Sequence, residues 1–537
     1  MASDPNPTPP SSAPGQALGR VVGTLFLATL LAPVVVQLGA DVLRPMVAAW
    51  ESGGALAARW RAASHTAAAR VGQLGSTFED AGVVSSNLRP WVQAALTRGL
   101  GTGNERVLVG LHGWLFRRPE VARLIAVGAS AEPRPATEDD AGGPPPPHPD
   151  PLPAVLDFAR QLHARGITLV LMPAPGKALL CAGELSARLR GAPALVDRSL
   201  LRLEDAAPRE GVLVFDPAPV LWDAQRRAAR SLFLSGDTHW RPEGMALVAR
   251  ELARFVNAKI VLPPAADPRY HLEETTVAGT GDLTAMLGFP ARAAFRPERV
   301  TVQQVLDGFD ELWRPAASGD VLLLGDSFAN IYSYGAMGWG ESAGLAEHLA
   351  FELRRPLDVI TRNGEGSWAT RSALSQELAK GRDRLAGKRV VIWEFAARQV
   401  GLGDWPLLPM VVGAPPPRRF VVPSAGSTVT VTGTIAEMAP VPRPRTAPYA
   451  DYVVGIHLVD VVAPTVAGKA NEALVFMWAM RDRALTPAAH FRVGQSVTLR
   501  LRPWAEVAEQ VGYASRGELL EGGLMLEEPC WGEETAP

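Results

Sequence analysis

One stretch of the chain, residues 321–327, constrains the fold more than any other. Residues 321–324 are Val-Leu-Leu-Leu, and Gly-Asp-Ser follows directly at 325–327. A short, uninterrupted apolar run before a glycine turn is typical of a parallel strand that is buried on both faces. In open α/β sheets, functional residues lie beyond the carboxyl ends of such strands. The stretch therefore predicts an α/β fold and makes Ser327 a candidate nucleophile.

The surrounding sequence alternates between strand-like and helix-like segments. Apolar, strand-like runs recur at 167–172, 212–216, 357–360 and 389–393, and helix-like stretches separate them. Alternation of this kind indicates a mostly parallel sheet that is covered by helices on both faces. We assign residues 104–412 to this domain, with a proline-rich insertion over 131–153 that we expect to be an irregular surface segment.

A second motif, Asp237-Thr238-His239, supplies the base that a serine hydroxyl needs to become nucleophilic. Because Asp237 and His239 are two residues apart, an extended loop directs both side chains to the same side. Ser327 would attack a carbonyl group, His239 would take its proton, and Asp237 would orient and stabilise the imidazole. Each motif alone also fits a helix cap or a local hydrogen bond.

Metal and cofactor chemistry is not predicted. Asp237 and His239 have no further ligands at a recognisable zinc spacing. The two cysteines, Cys181 and Cys530, are too few for a cysteine-rich site, and their spacing leaves open whether they pair. The formal net charge of −2, evenly mixed along 537 residues, argues against a nucleic-acid partner.

The N-terminal region predicts attachment to a membrane. Residues 1–19 are rich in proline and serine, and we expect them to be disordered. Residues 21–40 carry no charge and match the thickness of a hydrocarbon core, so we assign a transmembrane anchor to 20–41. A cleaved signal peptide is the alternative, although the weak basic flank does not favour it. Residues 42–103 are predicted to be a helical or linker region.

A separate all-β module is predicted over residues 424–537. Strand-like segments at 428–432, 452–458, 473–478 and 496–501 alternate with turn-rich segments. This pattern favours a small barrel or sandwich, of which the OB-fold is one type. Trp478, Trp504 and Trp531 fit either a core or a platform on which sugars stack.

Taken together, the motifs resemble those of the alginate O-acetyltransferase family of AlgJ and AlgX type, which has an SGNH hydrolase-like domain. The resemblance covers roughly residues 104–400, and the Asp-His motif precedes the serine, the reverse of ordinary SGNH esterases. The matching segments are 110–116, Pro173 with Lys177, 236–240 with Gly244, 324–328, and 391–395 with Arg398.

The resemblance implies that a serine acyl-enzyme passes acetyl to a hydroxyl group of an exported or cell-envelope polysaccharide. It also implies a single-pass protein of the bacterial inner membrane, with its catalytic domain on the periplasmic side. A membrane-bound O-acyltransferase would relay the acetyl group. By position, Ser327, His239 and Asp237 match the family's catalytic triad. Candidates for donor or glycan contacts are Lys177, Tyr332, Arg362 and Asn363.

Two alternatives use the same sequence features. An SGNH-type esterase would use the same triad to remove acyl groups from a polysaccharide, because water and sugar hydroxyls compete for one acyl-enzyme. A non-catalytic scaffold of a polysaccharide export complex would use the C-terminal module as its binding surface. The predicted anchor and the order of the motifs favour transfer.

Overall fold

The structure, a computed structural model, describes residues 83–535 except 130–145, 291–294, 445–446, 464–469, 513, 518, 520–523 and 525–526. The predicted N-terminal tail, the predicted anchor at 20–41 and most of the proline-rich insertion lie outside the described residues. The described residues divide into two compact units, one with 83–104 and 287–290 and the other with the remaining described residues. Among the helices in the described ranges, none combines the length and the apolar content needed to cross a bilayer.

The strands, in chain order, are β1 Val107–Val109, β2 Leu115–Arg117, β3 Thr168–Ala174, β4 Leu213–Val214, β5 His271–Gly279, β6 Glu298–Leu306, β7 Val321–Gly325, β8 Leu357–Thr361, β9 Val390–Ala396, β10 Val429–Met438, β11 Tyr452–Val462, β12 Glu472–Arg481, β13 Ala484–Leu485, β14 Ser496–Pro503, β15 Ser515–Gly517 and β16 Cys530–Glu534.

The helices are α1 Val83–Leu100, α2 Arg118–Ala129, α3 Pro151–His163, α4 Lys177–Leu180, α5 Ala182–Leu185, α6 Arg198–Arg209, α7 Ala218–Ala228, α8 Pro242–Lys259, α9 Asp282–Met286, α10 Ser327–Asn330, α11 Leu345–Leu353, α12 Ala369–Ala379, α13 Gln399–Leu402 and α14 Ala508–Val511. Helix α1 belongs to the first unit, and the others belong to the second. Helix α3 begins at Pro151, so the last three residues of the predicted irregular insertion, 151–153, are helical. Proline suits the first turn of a helix, and Asp150 caps this one by accepting a hydrogen bond from the Leu152 N–H.

The central sheet confirms the α/β prediction. Its five strands, in the order β4-β3-β9-β7-β8, are all parallel. Strand β7 is buried along its whole length, as the apolar run at 321–324 predicts. Its neighbours β9 and β8 pair with it in register, with Leu324 opposite Trp393 and Ile360. The carboxyl ends of these three strands therefore meet at one edge of the sheet.

Each face of the sheet packs against its own layer of helices. On one face, Leu323 of β7 and Ile392 of β9 contribute to a core that also contains apolar residues of α8 and α11. On the other face, Leu324 and Trp393 join a core with residues of α3, α6 and α12. This alternation along each strand follows from the two-residue period of β-structure.

Strands β5 and β6 form an antiparallel hairpin inserted between α8 and β7. The sequence analysis did not predict it, because its residues mix polar and apolar side chains and β5 is largely exposed or half-buried. Helix α9, which follows β5 directly, contributes to the functional site.

The C-terminal strands form a separate antiparallel-rich sheet that closes into a barrel. Strands β10, β11, β12, β16 and β14 pair in that cyclic order, and β14 returns to β10. The pair β12–β16 is parallel. Val431, Ile456, Val475 and Leu499 are among the apolar residues in its core. The predicted all-β module is therefore a barrel.

The two cysteines are both free and buried. The Cys181 thiol contacts the Ser231 hydroxyl in the α/β domain, with 3.2 Å between sulfur and oxygen. The Cys530 thiol donates to the Val421 carbonyl in the barrel. The two thiols therefore do not pair.

Candidate active site

The candidate nucleophile lies where β7 turns into the short helix α10. Ser327 is the first residue of this helix, and Asp326 caps it by accepting a hydrogen bond from the Phe328 N–H at 2.8 Å. Gly325 makes the tight turn possible, because a Cβ at this position would lie 2.7 Å from the Cβ of Ala329. The half-buried Ser327 is thus presented at the carboxyl edge of the sheet.

The structure brings the three predicted catalytic residues into one hydrogen-bonded chain. His239 Nε2 lies 2.8 Å from Ser327 Oγ, and His239 Nδ1 lies 2.6 Å from Asp237 Oδ1. The Asp237 carboxylate also accepts the main-chain N–H of His239 at 3.0 Å. His239 and Asp237 are 3% and 2% exposed, so little solvent competes for these contacts. The arrangement can move a proton from Ser327 to His239 while Asp237 orients the ring.

Two residues that sequence reasoning missed hold the other oxygen of Asp237. Asp237 Oδ2 accepts the Asp282 N–H at 3.1 Å and the indole N–H of Trp339 at 2.9 Å. The carboxylate of Asp282 in turn accepts the main-chain N–H and the hydroxyl of Thr238, both at 2.7 Å. These contacts fix the loop that carries Asp237 and His239. No local pattern identifies the two residues, since they come from distant segments.

The electrostatic environment separates the two titrating groups of this chain. Burial works to raise the pKa of Asp237, but the charge of His239 and hydrogen bonds from His239 and Trp339 outweigh it and hold that pKa well below its usual range. Burial works to lower the pKa of His239, but the charge and the hydrogen bond of Asp237 raise it above its ordinary value. Asp237 is therefore the permanent anion beside a histidine that is made more basic.

Aromatic residues connect the histidine loop with the serine turn. The indole N–H of Trp240 donates to the Phe328 carbonyl at 3.1 Å, and the Tyr332 hydroxyl donates to the Trp240 carbonyl at 2.7 Å. The Phe328 ring packs edge-on against His239 and Trp240, with centroid distances of 4.7 and 5.1 Å. Residues next to Ser327 and next to His239 therefore pack as one unit.

Lys177 is placed differently from its predicted role in substrate binding. It is 2% exposed, and its ammonium group donates to the carbonyls of Leu115, Ser235 and Asp237 at 2.6, 2.7 and 3.0 Å. Burial lowers its pKa to about 8, against the nearby Cys181 and acidic groups, which raise it. All three hydrogen bonds are internal, so Lys177 supports the Asp237 loop and does not present its charge to a substrate.

The remaining candidates for donor or glycan contacts divide into two groups. Tyr332 is fully buried, and its hydroxyl is bonded to the main chain, which argues against substrate contact. Arg362 and Asn363 follow β8 at the carboxyl edge of the sheet, half-buried and exposed. The Asn363 side-chain oxygen accepts from the amide of Asn330, three residues after Ser327. Arg362 and Asn363 thus remain candidates by position.

With Asp282, the site contains three side chains of the types that bind metal ions. Ligand atoms of Asp237, His239 and Asp282 lie within 4.8 Å of one another. However, the carboxylate oxygens already accept N–H and O–H donors from Thr238, His239, Trp339 and Asp282 itself. These donors occupy the directions that a cation would need, so the donor set fits a hydrogen-bonded chain better than a metal centre.

The parallel sheet covered by helices, with serine, histidine and aspartate at its carboxyl edge, defines an SGNH hydrolase-like protein. Residues 107–397 match the family described as "SGNH hydrolase-like domain, acetyltransferase AlgX". This match spans more than half of the chain, and the chain belongs to that family. Among curated proteins, no significant match was found.

Solved structures that this chain is similar to include three from bacteria. The O-acetyltransferase domain of Pseudomonas putida AlgJ is 21% identical, with 56% of this chain and 93% of that chain covered and a TM-score of 0.40. Pseudomonas aeruginosa AlgX is 14% identical, with 73% and 90% covered and a TM-score of 0.39. Bacillus cereus PatB1 is 11% identical, with 56% and 98% covered and a TM-score of 0.34.

Proposed function

We propose that this protein is an O-acetyltransferase that carries acetyl on Ser327 and passes it to a hydroxyl group of an exported or cell-envelope polysaccharide. The observation that carries the proposal is the chain Ser327–His239–Asp237, with contacts of 2.8 and 2.6 Å, in an SGNH hydrolase-like domain of the acetyltransferase AlgX family. A serine activated in this way is suited to acyl transfer.

In the first half-reaction, Ser327 Oγ attacks the carbonyl carbon of an acetyl donor while its proton passes to His239 Nε2. The negative charge of Asp237 stabilises the imidazolium that forms. When the tetrahedral intermediate collapses, the bond to the leaving group breaks, and the leaving group takes the proton from His239. The product is acetyl-Ser327 with a neutral histidine.

In the second half-reaction, a sugar hydroxyl attacks the acetyl-Ser327 carbonyl and gives its proton to His239. Collapse of this intermediate returns the proton to Ser327 Oγ and releases the acetylated sugar. The main-chain N–H of Ser327 is our candidate oxyanion donor, because the first N–H groups of a helix have no partner within the helix. Loss of one such donor typically costs about 10²- to 10³-fold in rate.

We place the protein at the bacterial inner membrane, with the catalytic domain on the periplasmic side and acetyl relayed by a membrane-bound O-acyltransferase. The uncharged run at 21–40 supports this placement. In sealed vesicles whose periplasmic face points outward, added protease should digest the catalytic domain and the barrel. Protection of both from the protease would argue against this placement.

We also propose that the C-terminal barrel is an OB-like module separate from the catalytic domain. Its five-strand cyclic order and its parallel pair β12–β16 support this assignment. Trp531 is buried while Trp478 and Trp504 are half-buried, and the three rings pack together. They therefore serve mainly as a small apolar core of the barrel.

The decisive experiment treats the purified full-length protein with p-nitrophenyl acetate and follows nitrophenol release and acetylation of Ser327 by mass spectrometry. Ser327→Ala and His239→Ala should abolish Ser327 acetylation and reduce turnover by about 10³-fold or more. Ser424→Ala, at an exposed serine of the barrel, is the matched control.

The same reaction is then repeated with candidate oligosaccharides. Movement of acetyl from Ser327 to sugar would establish transfer, whereas loss of acetyl to water alone would indicate an esterase. Equal behaviour of wild type, Ser327→Ala and His239→Ala would rule out the proposed chemistry and favour a scaffold.

A further inference from the structure

A buried carboxyl group that the proposed mechanism does not use lies directly behind the serine turn. Glu394, on the central strand β9, is 1% exposed. One of its oxygens, Oε2, accepts the main-chain N–H of Asp326 at 2.7 Å. It also lies 3.3 Å from the position that a Cβ on Gly325 would take. Glu394 therefore touches the turn on the residue immediately before Ser327.

Asp326 completes a reciprocal connection between the turn and β9. Its Oδ2 accepts the Ala396 N–H at 2.8 Å, while its Oδ1 accepts the Phe328 N–H at 2.8 Å. Two residues at the end of β9 thus hold Asp326. Glu394 bonds to its main chain, and Ala396 bonds to its side chain. Both contacts fix the direction in which α10 begins, and with it the hydroxyl and N–H of Ser327.

The second oxygen of Glu394 indicates its protonation state. Oε1 is buried, and if Glu394 were ionised this oxygen would have no hydrogen-bond partner among the described residues. Because Glu394 Oε2 accepts the Asp326 N–H, the carboxyl groups of Glu394 and Asp326 lie at the same turn, and two neighbouring carboxylates would repel each other. A proton on Oε1 would convert this repulsion into an O–H···O hydrogen bond.

We propose that Glu394 is a positioning residue for the acyl transfer proposed above: as the neutral acid it accepts the Asp326 N–H, donates its own O–H to the Asp326 carboxylate, and so holds the turn that carries Ser327. The inference rests on the proposed function for its catalytic consequence, but its structural content does not depend on activity.

The electrostatics of the surrounding groups agree with this assignment. Burial and the negative charge of Asp326 raise the pKa of Glu394 well above its ordinary value. Arg398, which follows the end of β9, acts in the opposite direction. Asp326 and Arg398 are the charged groups that act most strongly on Glu394. Burial and the charge of Asp326 therefore both favour the protonated form of Glu394.

Two substitutions separate the positioning role from a general effect on folding. Glu394→Gln keeps a neutral acceptor for the Asp326 N–H and supplies an N–H donor for the Asp326 carboxylate, so we expect acetylation of Ser327 at nearly the wild-type rate. Glu394→Ala removes both contacts, and we expect kcat for p-nitrophenyl acetate to fall about 10²-fold, as for a misplaced reacting group, with KM nearly unchanged.

Glu472→Gln is the matched control, because it changes a buried glutamate of the barrel that is hydrogen-bonded to His457. We expect it to affect thermal stability without changing kcat. Wild-type kcat in Glu394→Ala, or a loss in Glu394→Gln as large as in Glu394→Ala with both proteins folded, would overturn the proposal.

The protonation state has a readout that does not require activity. The infrared difference spectrum of wild type minus Glu394→Gln at neutral pH should contain the C=O stretch of a protonated carboxylic acid. A spectrum with only carboxylate bands would show that Glu394 is ionised and would overturn the proposal even if the enzyme is active. If Ser327 of the wild type is not acetylated while the acid band is present, the proposed function fails. The assignment of Glu394 as a neutral acid would still stand.

Discussion

At the scale of single residues, the site depends on two neighbouring aspartates with opposite properties. Asp237 has a pKa below its usual range, whereas burial and the charge of Asp237 raise the pKa of Asp282. The cause is the position of the imidazole, since Asp237 lies directly beside His239 and also accepts from Trp339. The hydrogen bonds from Thr238 to Asp282 do not offset its burial and the like charge of Asp237. Environments that separate two carboxyl groups in this way assign them different roles.

This difference predicts the pH dependence of catalysis. His239 acts as a base only when it is neutral, and its pKa is raised, so kcat/KM should rise with pH through a midpoint above the ordinary histidine value of about 6.5. In Asp237→Asn the charge that raises the pKa is lost and burial lowers it, so the midpoint should move to lower pH. We also expect kcat to fall by about 10⁴-fold because the histidine tautomer is no longer fixed.

The pH–rate profile of p-nitrophenyl acetate turnover measures both effects. Asp205→Asn, at an exposed aspartate of α6 that pairs with Arg209, is the control and should leave the midpoint unchanged. An acid limb that stays at the same pH in Asp237→Asn would contradict the assignment of His239 as the base that Asp237 controls.

The sequence identifies the members of the hydrogen-bonded chain better than the residues that support it. The strand–turn pattern and the Asp-x-His motif identify Ser327, His239 and Asp237 because each is part of a local pattern. Lys177 was assigned to substrate because a motif records a residue type but not the three carbonyls that surround it. Trp339 was missed because it lies 102 positions from Asp237 along the chain.

At the scale of elements, the parallel sheet was predictable because strands buried on both faces have continuous apolar runs. The hairpin β5–β6 was not, because its mixed, partly exposed residues lack such a signal. The hairpin matters for the site, since α9 follows β5 and supplies Asp282. The segment inserted between α8 and β7 thus contributes a residue that supports the loop carrying Asp237 and His239.

Helix α4 shows how a short element stabilises the site, and it yields a second prediction. Lys177→Met removes the ammonium group that lies over the rings of Trp114 and Phe116. It also takes a donor from three carbonyls, of which those of Leu115 and Asp237 are buried and that of Ser235 still accepts the Leu115 N–H. Each unsatisfied buried acceptor costs about 1–3 kcal/mol, partly offset by removing a buried charge, so we expect a loss of about 2–4 kcal/mol in the free energy of unfolding.

Urea unfolding followed by circular dichroism measures this loss. Lys380→Met is the matched control, because Lys380 is partly exposed and pairs with Asp460 at the surface. A Lys177→Met protein as stable as the control, and with wild-type activity, would contradict a supporting role for Lys177.

At the scale of the whole molecule, polar contacts join the barrel to the α/β domain within one compact unit. Arg443 of the barrel makes two hydrogen bonds to Glu273 of β5, at 2.7 and 2.6 Å. Asp460 of β11 pairs with both Lys380 and Arg382 at 2.8 Å. Partly exposed ion pairs contribute little each and weaken with salt. The barrel and the α/β domain therefore each depend mainly on their own core.

We therefore expect the double variant Arg443→Ala, Asp460→Ala to uncouple the barrel from the α/β domain without unfolding either. Calorimetry of wild type should give a more cooperative transition than that of the variant, which should separate into two transitions. Raising the salt concentration should make the unfolding of wild type resemble that of the variant, because salt screens the same contacts.

Arg500→Ala, which removes an exposed ion pair with Glu533 inside the barrel, is the control and should leave the cooperativity unchanged. If the double variant unfolds in the same single transition as wild type, the domains are coupled by their remaining contacts, which include the pairs His490–Glu341 and Arg492–Glu347. Acetylation of Ser327 should persist in the double variant, because all three residues of the proton chain lie in the α/β domain.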